Sequence, residues 1–158
     1  MTAARLALLA SLLVALFATP VGAGEADQAQ MDILLDTVRA NKRALIAVNL
    51  TLTDEEAGKF WPVYDRYQGE LTPIGDRVAK LVDEYTKAFP NIPDDRASAL
   101  IGDYLSAEAD RAKVRQSYLP EFSKVLPGKK VARFYQIENK LDAVIRYDLA
   151  SHIPVVEQ

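Results

Sequence analysis

The chain has no cysteine and a single histidine, His152, in 158 residues. No disulfide can staple it, no thiol is available for chemistry, and no N-terminal cysteine can carry a lipid. Stability has to come from packing alone. A transition-metal site needs several soft or imidazole ligands. One histidine and, apart from Met1, one methionine (Met31) do not make such a set. No EF-hand loop offers a ready calcium site. The chain also lacks a Gly-x-Ser-x-Gly elbow, a His-Glu-x-x-His pair and a glycine-rich phosphate loop. Adjacent carboxylates occur at Asp54/Glu55, Asp83/Glu84 and Asp94/Asp95, but neighbours on a helix point to different sides, so these read as caps and solvation. The residues therefore predict no catalytic, cofactor-binding or metal-ligating position, and a non-enzymatic protein. Glycines number seven, with no Asn-Gly or Asp-Gly hairpin signal. There is no concentrated basic face of the kind nucleic acid requires.

What is present begins at the N-terminus. Arg5 precedes a run of 13 residues, Leu6 to Ala18, that is apolar but for Ser11 and carries no charge. Thr19-Pro20 ends it, and Val21-Gly22-Ala23 supplies the small residues of a cleavage site. This is the layout of a secretory signal peptide spanning 1–23. The run is shorter than the roughly 20 residues a membrane span takes. Cleavage would remove one basic residue and no acid, leaving 18 basic and 22 acidic residues, a net charge of −4. No second long apolar segment follows, so no membrane span is expected after cleavage. Gly24 to Gln30 reads as a disordered lead-in, 31–154 as one helical domain, and 155–158 as a short tail.

Four helices are expected. The first covers about 31–49, with Leu34, Leu35, Val38, Leu45, Ile46 and Val48 as its stripe. The second has the clearest pattern. Phe60, Tyr64, Tyr67, Leu71, Ile74, Val78, Leu81 and Tyr85 recur at alternating steps of four and three, a coiled-coil-like seam that no strand produces. Pro62 and Pro73 fall inside it and should kink the helix without ending it, because the seam keeps phase across both. After the turn at 90–93, a third helix from about Asp95 to Val125 carries Ala97, Leu100, Ile101, Tyr104, Val114, Tyr118, Phe122 and Val125. Its middle, 106–115, is mostly alanine and charge. A fourth, from about Pro127 to Ala150, presents Val131, Phe134, Ile137, Leu141, Val144, Ile145 and Leu149 inward. The fold class is all-α, with long antiparallel helices forming a hairpin or elongated bundle.

One helix start recurs. Leu52-Thr53-Asp54-Glu55-Glu56 leads through Lys59 to Phe60-Trp61, and Leu126-Pro127-Gly128-Lys129-Lys130 leads through Arg133 to Phe134-Tyr135, 74 residues later. In the first copy Thr53 and Glu56 have the spacing of a capping box. In the second, Pro127 suits the beginning of a helix. A signal peptide, an all-helical remainder and a Leu-Thr-x-x-Gln-like helix start that recurs resemble the Spy/CpxP (LTXXQ) family of periplasmic proteins. Leu52, Thr53 and Glu56 match its motif, with Glu in place of Gln. The second copy departs further, with Pro for Thr and Lys for Gln.

The resemblance implies long helices folded as hairpins, often as a curved antiparallel homodimer with a cradle-like face. It also implies residence in the periplasm of a Gram-negative bacterium and no cofactor. The function it implies is that of an ATP-independent holdase chaperone for unfolded or partly folded envelope proteins. The alternative is an accessory that binds the periplasmic domain of an envelope-stress sensor kinase, and a third reading is a metal-responsive periplasmic protein. The family's cradle tends to be basic, whereas this chain is acidic. Trp61 and Tyr135 lie one residue off the apolar seams and are expected to be partly exposed, as contacts for a client or a second subunit or simply as core margin. Arg111, Lys113 and Arg115 form either a solvated face or a source of positive charge for a cradle.

Overall fold

A computed structural model describes residues 41–156. The signal segment, the lead-in, the first part of the first expected helix (31–40), residues 157–158 and the side chain of His152 lie outside the described residues. Within them the chain is all-α, with four helices and no strand: α1 (described over 41–50), α2 (Asp54–Ala88), α3 (Asp94–Val125) and α4 (Gly128–His152). The connections are short, as neighbouring antiparallel helices require. None of these helices is long and apolar enough to cross a membrane.

The directions follow from which residues meet. Phe60 packs on Phe122, Tyr67 on Tyr118, and Arg77 pairs with Asp110. As one number rises the other falls, so α2 and α3 are antiparallel. Phe122 on Phe134 and Glu108 with Arg146 give the same relation for α3 and α4. Between α2 and α4 the pairs are Glu56–Lys130, Phe60–Phe134 and Gln68–Glu138, which run parallel. The arrangement is an up-down-up-down bundle.

The helix α2 is one element of 35 residues, about 52 Å at 1.5 Å per residue. Pro62 and Pro73 lie within it, both exposed. Each lacks an N–H, so the carbonyls of Gly58 and Gly69, four residues back, face solvent-side gaps in the ladder. The expected seam is the buried face: Phe60, Tyr64, Tyr67, Leu71 and Val78 are buried, and Ile74, Leu81 and Tyr85 are half-buried. At the far end the hydroxyl of Tyr85 donates to the Pro154 carbonyl at 2.7 Å, tying the chain end to the hairpin tip.

The main core sits at the opposite end. Ile46 and Leu50 of α1, the first half of α2, Tyr118, Phe122 and Leu126 on and just beyond α3, and Val131 and Phe134 of α4 form one buried cluster. Its centre is aromatic. Phe60, Tyr67, Phe122 and Phe134 are fully buried, with Phe122 and Phe134 4.5 Å apart and Phe60 5.3 Å from Phe134 at an interplanar angle of 77°. Such pairs add about 0.5–1.5 kcal/mol each beyond their buried area.

Three expected faces are placed differently. In α1, Val48 is 77% exposed and Leu50, one residue past the expected end, is buried. In α3, Ile101 is 54% exposed while Ala107 fills the buried position. In α4, only Val131 and Phe134 of the expected stripe are buried. Ile137, Leu141, Val144, Ile145 and Leu149 are half-buried, and Glu138, Asp142 and Asp148 take the inner positions. The apolar residues of α4 flank a carboxylate ridge, which hydropathy cannot register.

Thr51 joins α1 to α2 with φ 49°. A β-branched residue in the left-handed region costs roughly 1–2 kcal/mol, and the corner is held by α4 side chains described below. Elsewhere the helices carry avoidable weakness. Gly102 is exposed in the interior of α3, and nothing lies within 4 Å of where a Cβ would stand. Gly102→Ala should therefore raise unfolding free energy by about 0.5–1 kcal/mol in urea denaturation, the usual helix-interior difference.

Candidate functional site

The two similar helix starts face each other. Thr53 caps α2: its hydroxyl accepts from the Glu56 N–H at 3.2 Å, and the Glu56 carboxylate accepts from the Thr53 N–H at 2.8 Å. Glu56 also pairs with Lys130, the residue at the same offset in the second copy. Lys130 and then the Thr53 N–H hold the Glu56 carboxyl below its usual range. Four residues on, Phe60 and Phe134, again at equal offsets, are in ring contact. Equivalent positions therefore meet, as in the layers of a parallel coiled coil. Leu52 is half-buried against the core and Leu126 is buried within it.

The same stretch of α4 closes the α1–α2 corner. Lys130 Nζ donates to the Thr51 carbonyl at 3.2 Å, and Arg133 Nε donates to the Asn49 carbonyl at 2.7 Å. Carbonyls at the end of α1 have no helical donor of their own, and two cations of α4 supply one. The repeated helix start thus works as a clasp between three helices.

Beyond the aromatic cluster lies a buried charged layer. Glu138 is fully enclosed and Asp142 nearly so. Lys42 of α1 stands 3.0 Å from Glu138 Oε2 and 3.2 Å from Asp142 Oδ1. Arg115 of α3 reaches Asp142 Oδ2 at 3.2 Å, and Gln68 of α2 donates to Glu138 Oε1 at 3.3 Å. The contact of Lys42 with Glu138 Oε2 is close in distance but lacks the direction of a hydrogen bond. Burial accordingly pushes the Glu138 carboxyl above its ordinary value, against the opposing pull of Lys42. Burial, then Glu138, also raises the phenols of Tyr64 and Tyr67 well above the usual tyrosine range. The Tyr67 hydroxyl is buried with no hydrogen-bond partner among the described residues. Glu138 has no exposed surface, and the layer links side chains of all four helices.

The aromatic residues off the seams have internal partners. Trp61 is half-buried, edge-on to Phe60 and Tyr64, with the Arg43 guanidinium 4.2 Å above its ring and Arg43 itself paired with Asp65. Tyr135 is half-buried, and its hydroxyl donates to the Arg115 carbonyl at 2.8 Å. Burial pushes its phenol up to about 12. Of the three α3 cations, Arg111 and Arg115 share one face, one turn apart. Lys113 points elsewhere, is 76% exposed and pairs with Asp110. Among the described residues no group of three His, Asp or Glu side chains is placed to hold a metal ion.

The outer side of α3 carries a surface that the sequence pattern did not single out. Ile101, Leu105, Ala112 and Leu119 are all exposed and fall within about 40° of one another at 100° per residue. Ile101 was expected inside. The signal was available: 101, 105, 112 and 119 keep one phase, while the buried 100, 107, 118 and 122 keep another. No protein-family model matches the chain, and no curated protein and no solved structure shows significant similarity to it.

Thr53→Ala removes the cap acceptor and should lower stability by about 1 kcal/mol in chemical denaturation. For Glu138 the sign is set by its raised carboxyl. The folded state holds the proton more tightly than the unfolded chain, whose value is near 4.5. This group therefore favours folding most at low pH, and the benefit is lost as pH rises through the folded-state value. Glu138→Gln should gain stability relative to the parent as pH increases from 4 to 8, measured as the difference between urea midpoints.

Proposed function

We propose that the protein is an exported, non-enzymatic periplasmic binding protein that shields apolar segments of unfolded or partly folded envelope proteins without ATP. The observation that carries this reading is the exposed stripe on α3, with Ile101 54%, Leu105 59% and Leu119 46% accessible. Isolated exposed apolar residues are ordinary, but an aligned series on one helix face is a contact surface. The 13-residue leader supports export, and the recurring helix start, capped by a side chain in its first copy, supports the resemblance to Spy/CpxP proteins. A shallow stripe flanked by charge favours many weak contacts, which release a client without a nucleotide.

The test is suppression of aggregation of several unrelated denatured proteins at near-stoichiometric ratios. The parent protein should protect more than one client. The double variant Ile101→Ser/Leu105→Ser should lose at least half of that protection while its thermal midpoint stays within a few degrees, because surface substitutions usually change stability by under about 0.5 kcal/mol. No protection by the parent, or full protection by the variant, rejects the reading.

A further inference from the structure

Between α3 and α4, beside the charged layer, is an open pocket of about 310 Å³ lined by Glu108, Arg111, Ala112, Arg115 and Arg146. Three of its five lining residues are arginines. They come from two helices: Arg111 and Arg115 are one turn apart on α3, and Arg146 approaches from α4. A guanidinium carries five N–H donors in a fixed fork and keeps its charge at any working pH. The protein provides few acceptors for them. Arg146 reaches Glu108 Oε2 at 2.7 Å, and Arg115 reaches Asp142 at 3.2 Å. Arg111 Nε lies 3.6 Å from Glu108 Oε1, an ion-pair contact too long for a hydrogen bond, and is buried with no hydrogen-bond partner among the described residues.

The charge balance is equally one-sided. Among the described residues, Glu108 and Asp142 are the carboxylates in ion-pair contact with the three arginines, and Asp142 is shared with Lys42. The cluster therefore keeps an excess of positive charge in an acidic protein. Guanidinium forks arranged around a cavity match the several oxygens of a tetrahedral anion. Glu108 already plays that part incompletely, offering one oxygen to Arg146 at 2.7 Å and holding the other 3.6 Å from Arg111, beyond hydrogen-bond distance.

We propose that Arg111, Arg115 and Arg146 form a binding site for a phosphate group, with Glu108 as the internal carboxylate that the ligand displaces. The same chemistry is offered by free phosphate and by a phospholipid headgroup. The pocket adjoins the apolar stripe at Ala112, but its three arginines are not part of that stripe, and its failure leaves the shielding role untouched.

The experiment titrates inorganic phosphate against the full chain at constant ionic strength, with chloride as the compensating anion. Thermal midpoint and the arginine side-chain NMR signals are followed. Phosphate should raise the midpoint in a saturable way, because a ligand of the folded state stabilises it, and should shift the Arg111 Nε–H signal. Arg146→Gln should weaken the phosphate dependence at least tenfold, whereas Lys113→Ala, outside the pocket, should leave it unchanged. Glu108→Gln should tighten it several-fold, a gain that a purely structural Glu108–Arg146 pair would not give. Co-sedimentation with phosphatidylglycerol vesicles but not phosphatidylcholine vesicles, lost in Arg146→Gln, would assign the headgroup as the source. Saturable stabilisation without co-sedimentation would assign the free anion. The proposal is overturned if phosphate produces no saturable response, if Arg146→Gln responds like the parent, or if Glu108→Gln weakens binding.

Discussion

Contact among Phe60, Tyr67, Phe122 and Phe134 is the interaction on which the rest of the bundle depends. These four fully buried rings come from α2, α3 and α4, and they join the helices at the end where the α1–α2 and α3–α4 corners lie side by side. Large rings span the distance between helix axes, so one layer can bind elements that are otherwise slender. Ile46 and Leu50 bring α1 to the same layer. Once it is set, the clasp formed by Glu56, Lys130 and Arg133 and the charged layer around Glu138 fall into register with it.

The charged layer has a different energetic character. Taking Glu138 and Asp142 out of water costs several kcal/mol per ion, which pairing with Lys42 and Arg115 offsets only with good geometry. The indirect contact between Lys42 and Glu138, and a Tyr67 hydroxyl with no hydrogen-bond partner among the described residues, mark incomplete compensation. Such a layer adds little to stability but penalises misalignment. Sliding α4 by one turn would set its carboxylates against the aromatic rings.

The seam of α2 was legible in the sequence because eight apolar residues kept one phase with no charged competitor. The capping box was legible because its hydrogen bonds span only three residues. What escaped was non-local. Glu138 and Asp142 sit in phase with Phe134, yet a charge at an inner position reads as surface until its partners are known, and those partners stand 100 residues away in Lys42 and 27 away in Arg115. Arg146 joined Arg111 and Arg115 for the same reason: the pairing of α3 with α4, not the spacing within either, brings them together. In α3, the alanine-rich middle left two apolar phases of similar strength, and Ile101 fell on the outer one.

Pro62 and Pro73 are 11 residues apart, which is three helical turns to within about 20°. Both missing N–H groups therefore open toward the same side of α2, away from the core. A proline ring pushes the preceding turn aside and bends the helix away from itself. Any deflections at the two prolines would then add in one plane instead of cancelling, and both would turn the rod toward its partners. Two prolines in this phase favour a bow of α2 that its own backbone would set, whatever α3 and α4 bury against it.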